Sequence, residues 1–121
     1  MSKQIILAKT AGFCFGVDRA VNLVYELVGE GKKVCTLGPI IHNAQLVADL
    51  ESKGVKIIDD ISQAPQGYTV VVRTHGVEKS VLDELETKGI DYVNATCPFV
   101  TKIHNIVKKQ DENTVVLIAG D

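Results

Sequence analysis

Four residues whose side chains suit binding or catalysis each follow a short apolar run and precede a stretch with helical spacing. They are Cys14, His42, His75 and Cys97. The apolar runs predict strands over residues 4–8, 34–37, 68–72 and 90–94. In an open parallel sheet, ligands bind in the crevice beyond the carboxyl ends of the strands. We therefore expect two thiols and two imidazoles to converge on one edge of a sheet.

The two candidate thiols share the same local surroundings. Cys14 lies in the segment AGFCFGV, where a glycine on each side permits a tight turn and the close approach of a bulky ligand. Cys97 lies in ATCP, and Pro98 is suited to the first position of a helix. A helix N-terminus favours the thiolate needed for metal binding or nucleophilic attack. The alternative for each is a buried thiol that fills a gap in the core.

Cys35 differs from the other two cysteines because it lies inside the predicted strand 34–37 rather than after it. Cysteine is among the residues most often buried. We therefore expect Cys35 to be structural.

The histidines His42 and His75 occur in the segments GPIIHN and RTHG, at equivalent strand-end positions beside a helix start. Unpaired backbone N–H groups at a helix N-terminus, together with an imidazole, bind anions, most simply phosphate. A hydrogen-bonded structural role is the alternative for each. His104 lies within the fourth predicted helix and is expected at the surface or between helices, without a ligand role.

The elements that position these residues alternate between strands and helices. Apolar residues at helical spacing predict helices over 17–28, 43–53 and 78–88, and a fourth that opens at residue 98 and turns Val100, Ile103 and Val107 inward. Further strands are predicted at 55–58 and 114–119. The pattern predicts an α/β fold: a single three-layer domain with a mainly parallel sheet, right-handed crossovers and ligand residues at the carboxyl ends of the strands.

Composition limits the possible functions. The chain has 121 residues, 45% of them hydrophobic and 23% charged, with a formal net charge of −2 and few aromatics. This favours one domain and argues against nucleic-acid binding. No signal peptide or membrane span is predicted. Three widely spaced cysteines indicate a reducing cytoplasm. The buried-type strand 114–119 so close to the last residue suggests the first part of a longer protein.

Several kinds of site compete on the residues alone. Two distant cysteines brought together by the fold favour an iron–sulfur cluster. A thiol-dependent phosphatase would need five residues between the cysteine and its arginine, but only four separate Cys14 from Arg19. Zinc is disfavoured because no two ligands have the short spacing of structural zinc sites. A phosphate-binding or interaction module without catalysis also stays open.

The segments AGFCFGVDRAV, GPIIHN, THGV and ATCPFVTKIH, in this order and spacing, resemble the N-terminal part of the 4-hydroxy-3-methylbut-2-enyl diphosphate reductase (LytB) family. The resemblance covers essentially the whole chain. It implies that residues 1–121 are the N-terminal α/β domain of a three-domain protein with a central 4Fe–4S cluster. It also implies that Cys14 and Cys97 are two of the three cysteine ligands, and that His42 and His75 bind the substrate diphosphate.

The resemblance further implies the reaction and its partners. The family converts an allylic alcohol diphosphate to isopentenyl and dimethylallyl diphosphates in the methylerythritol phosphate pathway, with electrons from ferredoxin or flavodoxin. The third cysteine ligand and the other catalytic motifs of the family lie beyond Asp121. We therefore expect no catalytic residue within this chain, and no activity without the remaining domains.

Overall fold

A computed structural model describes residues 2–120 and has a four-stranded, all-parallel sheet at its centre, in the order β2-β1-β3-β4. The strands are β1 (Val34–Leu37), β2 (Lys56–Ile58), β3 (Thr69–Val72) and β4 (Tyr92–Asn94). Strands β1 and β3 are buried along their whole length, because each is paired on both edges and covered on both faces. Continuous apolar runs are typical of such central parallel strands.

Four helices and one short 3-10 turn connect the strands. They are α1 (Phe15–Gly29), α2 (Ala44–Ser52), α3 (Lys79–Thr87) and α4 (Pro98–Lys108), with the 3-10 turn at Ile61–Gln63. The observed helices and the strands β1 to β4 match the predicted elements to within a few residues. The predicted α/β class with a parallel sheet is therefore confirmed.

Two hydrophobic cores lie on opposite faces of the sheet, so the domain has three layers. On one face, Ala20 and Val24 of α1 and Leu50 of α2 pack with Val71 of β3. On the other face, Leu85 of α3 packs with the neighbouring strand residues Val70 and Val72 and with Ile61. Successive strand residues point to opposite faces, which is why Val71 and its neighbours enter different cores.

Helix α1 shows how the sequence sets an element boundary. Its buried residues Ala20, Val21, Val24 and Leu27 recur at the spacing of one helix face. The helix ends at Gly29, and Gly31 follows with a φ of 79°, a left-handed conformation that glycine adopts without a steric penalty. The backbone N–H of Gly31 donates to the carbonyl of Val28 and so satisfies one of the last helical carbonyls.

The predicted strands at 4–8 and 114–119 are wrong. Both segments lack strand structure, and Ile5 and Leu117 are 93% and 89% exposed. A strand forms only where its backbone groups pair with a neighbour, and within residues 2–120 the edge strands β2 and β4 pair with neither segment. Cys14 therefore does not follow a strand, contrary to the expectation from the apolar run before it.

The expectation that α4 turns Val100, Ile103 and Val107 inward is also wrong. The helix forms, but none of its residues is buried, and Ile103 is 52% exposed. The apolar spacing correctly indicated a helix, whereas burial requires a partner surface that the described part of the chain does not supply. No helix between residues 2 and 120 is both long enough and apolar enough to cross a membrane.

Candidate functional site

The two candidate histidines lie side by side. His42 follows β1 and precedes α2, and His75 follows β3 and precedes α3. Their rings stack with centroids 5.7 Å apart and planes inclined by 28°, and both side chains are exposed. Because β1 and β3 are neighbouring parallel strands, the loops after them leave the sheet at the same edge. The structure thus brings together the two imidazoles that the sequence placed at equivalent strand ends.

A buried hydrogen bond fixes one histidine loop against the other. The hydroxyl of Thr74, which is 4% exposed, donates to the carbonyl of Ile40 at 3.2 Å. Next to His42, the side chain of Asn43 accepts a hydrogen bond from the N–H of Leu46 at 3.0 Å and caps α2. These bonds stabilise the loop backbones and leave both imidazoles free to contact a ligand.

Cys97 is attached to the same loop. Its backbone N–H donates to the carbonyl of Thr74 at 2.9 Å, and the N–H of Ala95 donates to the carbonyl of Val72 at 3.1 Å. The chain after β4 therefore runs alongside the chain after β3 as far as the residue before His75. Cys97 is the N-cap residue of α4 and is partly exposed.

Cys14 reaches this region through the start of α1. It is the exposed N-cap residue of α1, and its carbonyl accepts from the N–H of Asp18 at 2.9 Å. Phe15 and Phe99, each in the first turn of its helix, contact edge to face at 6.3 Å between ring centroids. The N-terminal ends of α1 and α4, each preceded by a cysteine, therefore lie against one another.

The two glycines beside Cys14 have different surroundings. Gly12 has no neighbour near the position of an added side chain. At Gly16, by contrast, a Cβ would lie 2.4 Å from the Sγ of Cys97. The close approach that the sequence suggested at this glycine is therefore to the second cysteine.

Arg73 is a candidate site residue that the sequence interpretation did not single out. Its Nη1 lies 2.8 Å from the position of a Cβ on Gly38, so the guanidinium covers the end of β1 next to the histidine loops. None of the ion pairs formed within residues 2–120 involves Arg73. The position of Arg73 two residues before His75, in the RTHG segment, is the feature of the sequence that could have identified it. Its charge favours an anion at this edge of the sheet.

A groove of about 640 Å³ extends from His75 between α3 and α4. Arg73, Lys79 and His104 line it, together with apolar residues such as Leu82 and Ile103. His104 is exposed, and its Cε1 lies 3.2 Å from the position of a Cβ on Gly76. Its placement between helix and loop agrees with the expected surface or interhelix position, and its lack of a ligand role stays a prediction.

Cys35 has none of the properties of a reactive thiol. It is fully buried in β1, and burial raises the pKa of its thiol above the ordinary value, although Lys56 opposes the change. A neutral buried thiol is a poor nucleophile and metal ligand. Its surroundings agree with the expected structural role, and they separate it from Cys14 and Cys97.

The thiols Cys14 and Cys97 are candidate metal donors. Within residues 2–120 no group of three or more histidine, cysteine or acidic side chains could hold a metal ion. Two accessible thiols at adjoining helix starts nevertheless fit an iron–sulfur cluster, which is held by cysteine thiolates. The remaining ligands would have to come from outside these residues.

The geometry disfavours the phosphatase alternative. Helix α1 begins at Phe15, directly after Cys14, so no loop of backbone N–H groups surrounds the thiol. The guanidinium of Arg19 contacts the carbonyl of Thr96 at 3.5 Å. A helix that starts directly after Cys14 and an arginine that contacts Thr96 both differ from the phosphate loop and arginine expected of such a site.

Sequence comparison relates the chain to one family. The family model described as LytB protein matches residues 5–121. A 4-hydroxy-3-methylbut-2-enyl diphosphate reductase from Trichlorobacter lovleyi is 47% identical over 119 residues, and one from Thermoanaerobacter sp. (strain X514) is 42% identical over 123. Each alignment covers 98% of this chain but only 42% and 43% of the relative. The chain thus spans less than half the length of these relatives.

Two solved structures have a similar fold. One is described as (E)-4-hydroxy-3-methyl-but-2-enyl diphosphate reductase, the terminal enzyme of the non-mevalonate pathway; it is 45% identical with a TM-score of 0.73. The other, an E-1-hydroxy-2-methyl-but-2-enyl-4-diphosphate reductase from Plasmodium falciparum, is 30% identical with a TM-score of 0.77. The first superposition covers 85% of this chain and 37% of the solved chain, and the second covers 83% and 32%.

Proposed function

Because the chain belongs to the LytB protein family, we propose that it is the N-terminal domain of an iron–sulfur 4-hydroxy-3-methylbut-2-enyl diphosphate reductase. The proposed reaction is the reductive dehydroxylation of this allylic diphosphate to isopentenyl and dimethylallyl diphosphates in the methylerythritol phosphate pathway. One observation supports it most strongly: a thiol site and an imidazole site meet at one loop. The carbonyl of Thr74 accepts a hydrogen bond from the N–H of Cys97, and His75 directly follows Thr74 in the chain.

The thiols and imidazoles have separate roles in this proposal. Cys14 and Cys97 hold the cluster, since cysteine thiolates are its natural ligands and both thiols are accessible at adjoining helix starts. When bound, a 4Fe–4S cluster would supply electrons and a Lewis-acidic iron for the substrate hydroxyl.

His42 and His75 donate hydrogen bonds to the diphosphate, and Arg73 adds positive charge at the end of β1. The 5.7 Å between the two ring centroids allows both imidazoles to contact one diphosphate group. Since the thiol and imidazole loops are bonded together, a bound diphosphate would hold its organic part at a fixed distance from the cluster.

The rest of the site comes from outside this chain. Relatives of the same family are more than twice as long, so we propose that the third cysteine and the proton-donating residues belong to the remaining domains. The chain alone would then be inactive. A ferredoxin or flavodoxin would deliver the electrons, and a reducing cytoplasm, predicted from the cysteine content, would suit both partners.

The test is anaerobic purification of the full-length polypeptide, followed by iron and sulfide analysis and an assay of substrate reduction with a chemical reductant. The variants are Cys14→Ser and Cys97→Ser, and Cys35→Ser is the matched control, since Cys35 is buried away from the site. We expect the first two variants to lose iron and activity together, and the control to retain both.

Two results would contradict the proposal. If Cys14→Ser and Cys97→Ser kept the iron content of the wild type, the two thiols would not be cluster ligands. If the wild-type protein held no iron but bound inorganic pyrophosphate through His42 and His75, the domain would be a phosphate-binding module without redox chemistry.

A further inference from the structure

Gly16 packs so closely against Cys97 that a residue with a side chain would not fit at this position. It is buried in the first turn of α1. A Cβ at this position would lie 2.4 Å from the Sγ of Cys97 and 2.9 Å from its Cβ. Real Cβ contacts under 3.0 Å essentially never occur, so a side chain here would have to displace Cys97.

Cys97 has little freedom to move away. Its N–H is bonded to the carbonyl of Thr74 at 2.9 Å, and its carbonyl accepts the first helical bond of α4, from the N–H of Thr101 at 3.0 Å. A rotation of the side chain could relieve the clash with Sγ but not the one with Cβ, which is fixed to the backbone. The backbone at the start of α4 would therefore have to shift.

The contact also limits the distance from the sulfur of Cys97 to the backbone of Cys14. The Sγ of Cys97 lies 2.4 Å from the Cβ position on Gly16, and Cys14 is only two residues earlier in the chain. With about 3.8 Å between consecutive Cα atoms and about 1.5 Å for a Cα–Cβ bond, that sulfur lies no more than roughly 11.5 Å from the Cα of Cys14.

We infer that Gly16 is a positioning residue for the thiol pair: its missing side chain lets Cys97 lie against the first turn of α1, beside Cys14. The inference rests on the proposed function in so far as the two thiols are cluster ligands. The contact itself does not depend on that function. Gly16 would touch neither cluster nor substrate and would act through Cys97 alone.

The first test measures Cys97 in the full-length protein without metal. Site-resolved alkylation followed by mass spectrometry compares Gly16→Ala with Gly29→Ala. Gly29 is a matched control, because it lies in the same helix with nothing within 4 Å of an added Cβ. We expect faster alkylation of Cys97 in Gly16→Ala, where the thiol is displaced from its contact, and an unchanged rate in Gly29→Ala.

The second test is a double-mutant cycle on the melting temperature of the full-length protein without metal. Alanine is a better helix former than glycine, so Gly16→Ala should raise the melting temperature by about 1–4 °C once the clash is removed. The variant Cys97→Gly removes both clashing atoms. We therefore expect Gly16→Ala to lower the melting temperature with Cys97 present and to raise it in the Cys97→Gly background.

The third test is the iron content after anaerobic purification. We expect Gly16→Ala to lose most of its iron and Gly29→Ala to keep it. The inference is overturned if Gly16→Ala keeps its iron and the alkylation rate of Cys97, or if the sign of the melting-temperature change is the same in both backgrounds. If wild type and Gly29→Ala also lack iron, the proposed function fails, whereas the first two tests still decide whether Gly16 positions Cys97.

Discussion

Replacing either stacked histidine should weaken diphosphate binding without unfolding the protein. Both rings are exposed and contact one another, so neither contributes to the hydrophobic cores. A hydrogen bond to a charged group contributes about 1.5–3 kcal/mol, which corresponds to about ten- to a hundredfold in affinity. We expect His42→Ala and His75→Ala each to raise the dissociation constant for diphosphate by that factor.

The assay is the shift in melting temperature on addition of inorganic pyrophosphate to the full-length protein. At a concentration of 100 times the wild-type dissociation constant, bound ligand stabilises the folded state by about 2.7 kcal/mol. A tenfold weaker variant would gain only about 1.4 kcal/mol, and a hundredfold weaker one about 0.4 kcal/mol. His104→Ala is the control, since this third histidine is expected to have no ligand role.

Because the two rings are in contact, the double variant should lose less than the sum of the single losses. The variants should also keep their iron, in contrast to Cys14→Ser and Cys97→Ser. The reasoning is refuted if either histidine variant binds pyrophosphate normally while it loses iron or melts several degrees lower. Those residues would then be structural.

Four further outcomes follow from the structure. The 121-residue chain purified in air should carry little or no iron, and a full four-iron complement in quantitative analysis would contradict the proposed donor set. Alkylation of the native chain at pH 8 should modify Cys14 well before Cys35, because burial raises the pKa of the Cys35 thiol above its ordinary 9.0. Equal labelling rates of Cys14 and Cys35 would contradict this expectation. Because the thiol of Cys35 ionises at lower pH in the unfolded chain than in the folded one, its contribution to stability is present below the ordinary pKa and is lost as pH rises through the raised pKa. Leu85→Ala, at a site with 0% exposure, should lower the free energy of unfolding in urea by about 2–5 kcal/mol, whereas Leu117→Ala, at 89% exposure, should stay within about 0.5 kcal/mol. Hydrogen bonds from Lys53 and Tyr25 lower the pKa of the Asp49 carboxyl, so Asp49→Asn should reduce the melting temperature at pH 7, and the difference should disappear as pH falls below the ordinary value of 3.8; a constant difference down to pH 2 would rule out this cause.

The central sheet could be predicted from sequence because its signals are local. Runs such as 34–37 and 69–72 are wholly apolar or nearly so, and the helices between them end at glycines that take up a left-handed conformation, such as Gly54 and Gly89. A buried parallel strand needs apolar residues on both faces, so its pattern is visible without knowledge of the neighbours. The carboxyl-edge position of His42, His75 and Cys97 followed directly from this alternation.

The segments 4–8 and 114–119 show where this reasoning stops. Their composition is that of buried strands, yet Ile5 and Leu117 lie almost fully exposed. Helix α4 has the correct period and no buried residue. The hydrophobic pattern of a segment shows which of its faces needs to be buried. Which other element buries that face depends on the whole polypeptide. At α4 the type of element was therefore predicted correctly and its burial was not, whereas at 4–8 and 114–119 the predicted strands do not form.

The contact between Gly16 and Cys97 could not be predicted from sequence for a different reason. Gly16 and Cys97 are separated by most of the domain, and the sequence offered only a glycine beside one cysteine and a proline after the other. What joins them is the bond from Cys97 to Thr74, which exists because β3 and β4 are neighbours, together with the packing of Phe99 against Phe15. The sheet order thus fixes where α4 begins, and the start of α4 places the side chain of Cys97 against Gly16 in α1. Any chemistry that needs Cys14 and Cys97 together therefore requires that residue 16 has no side chain.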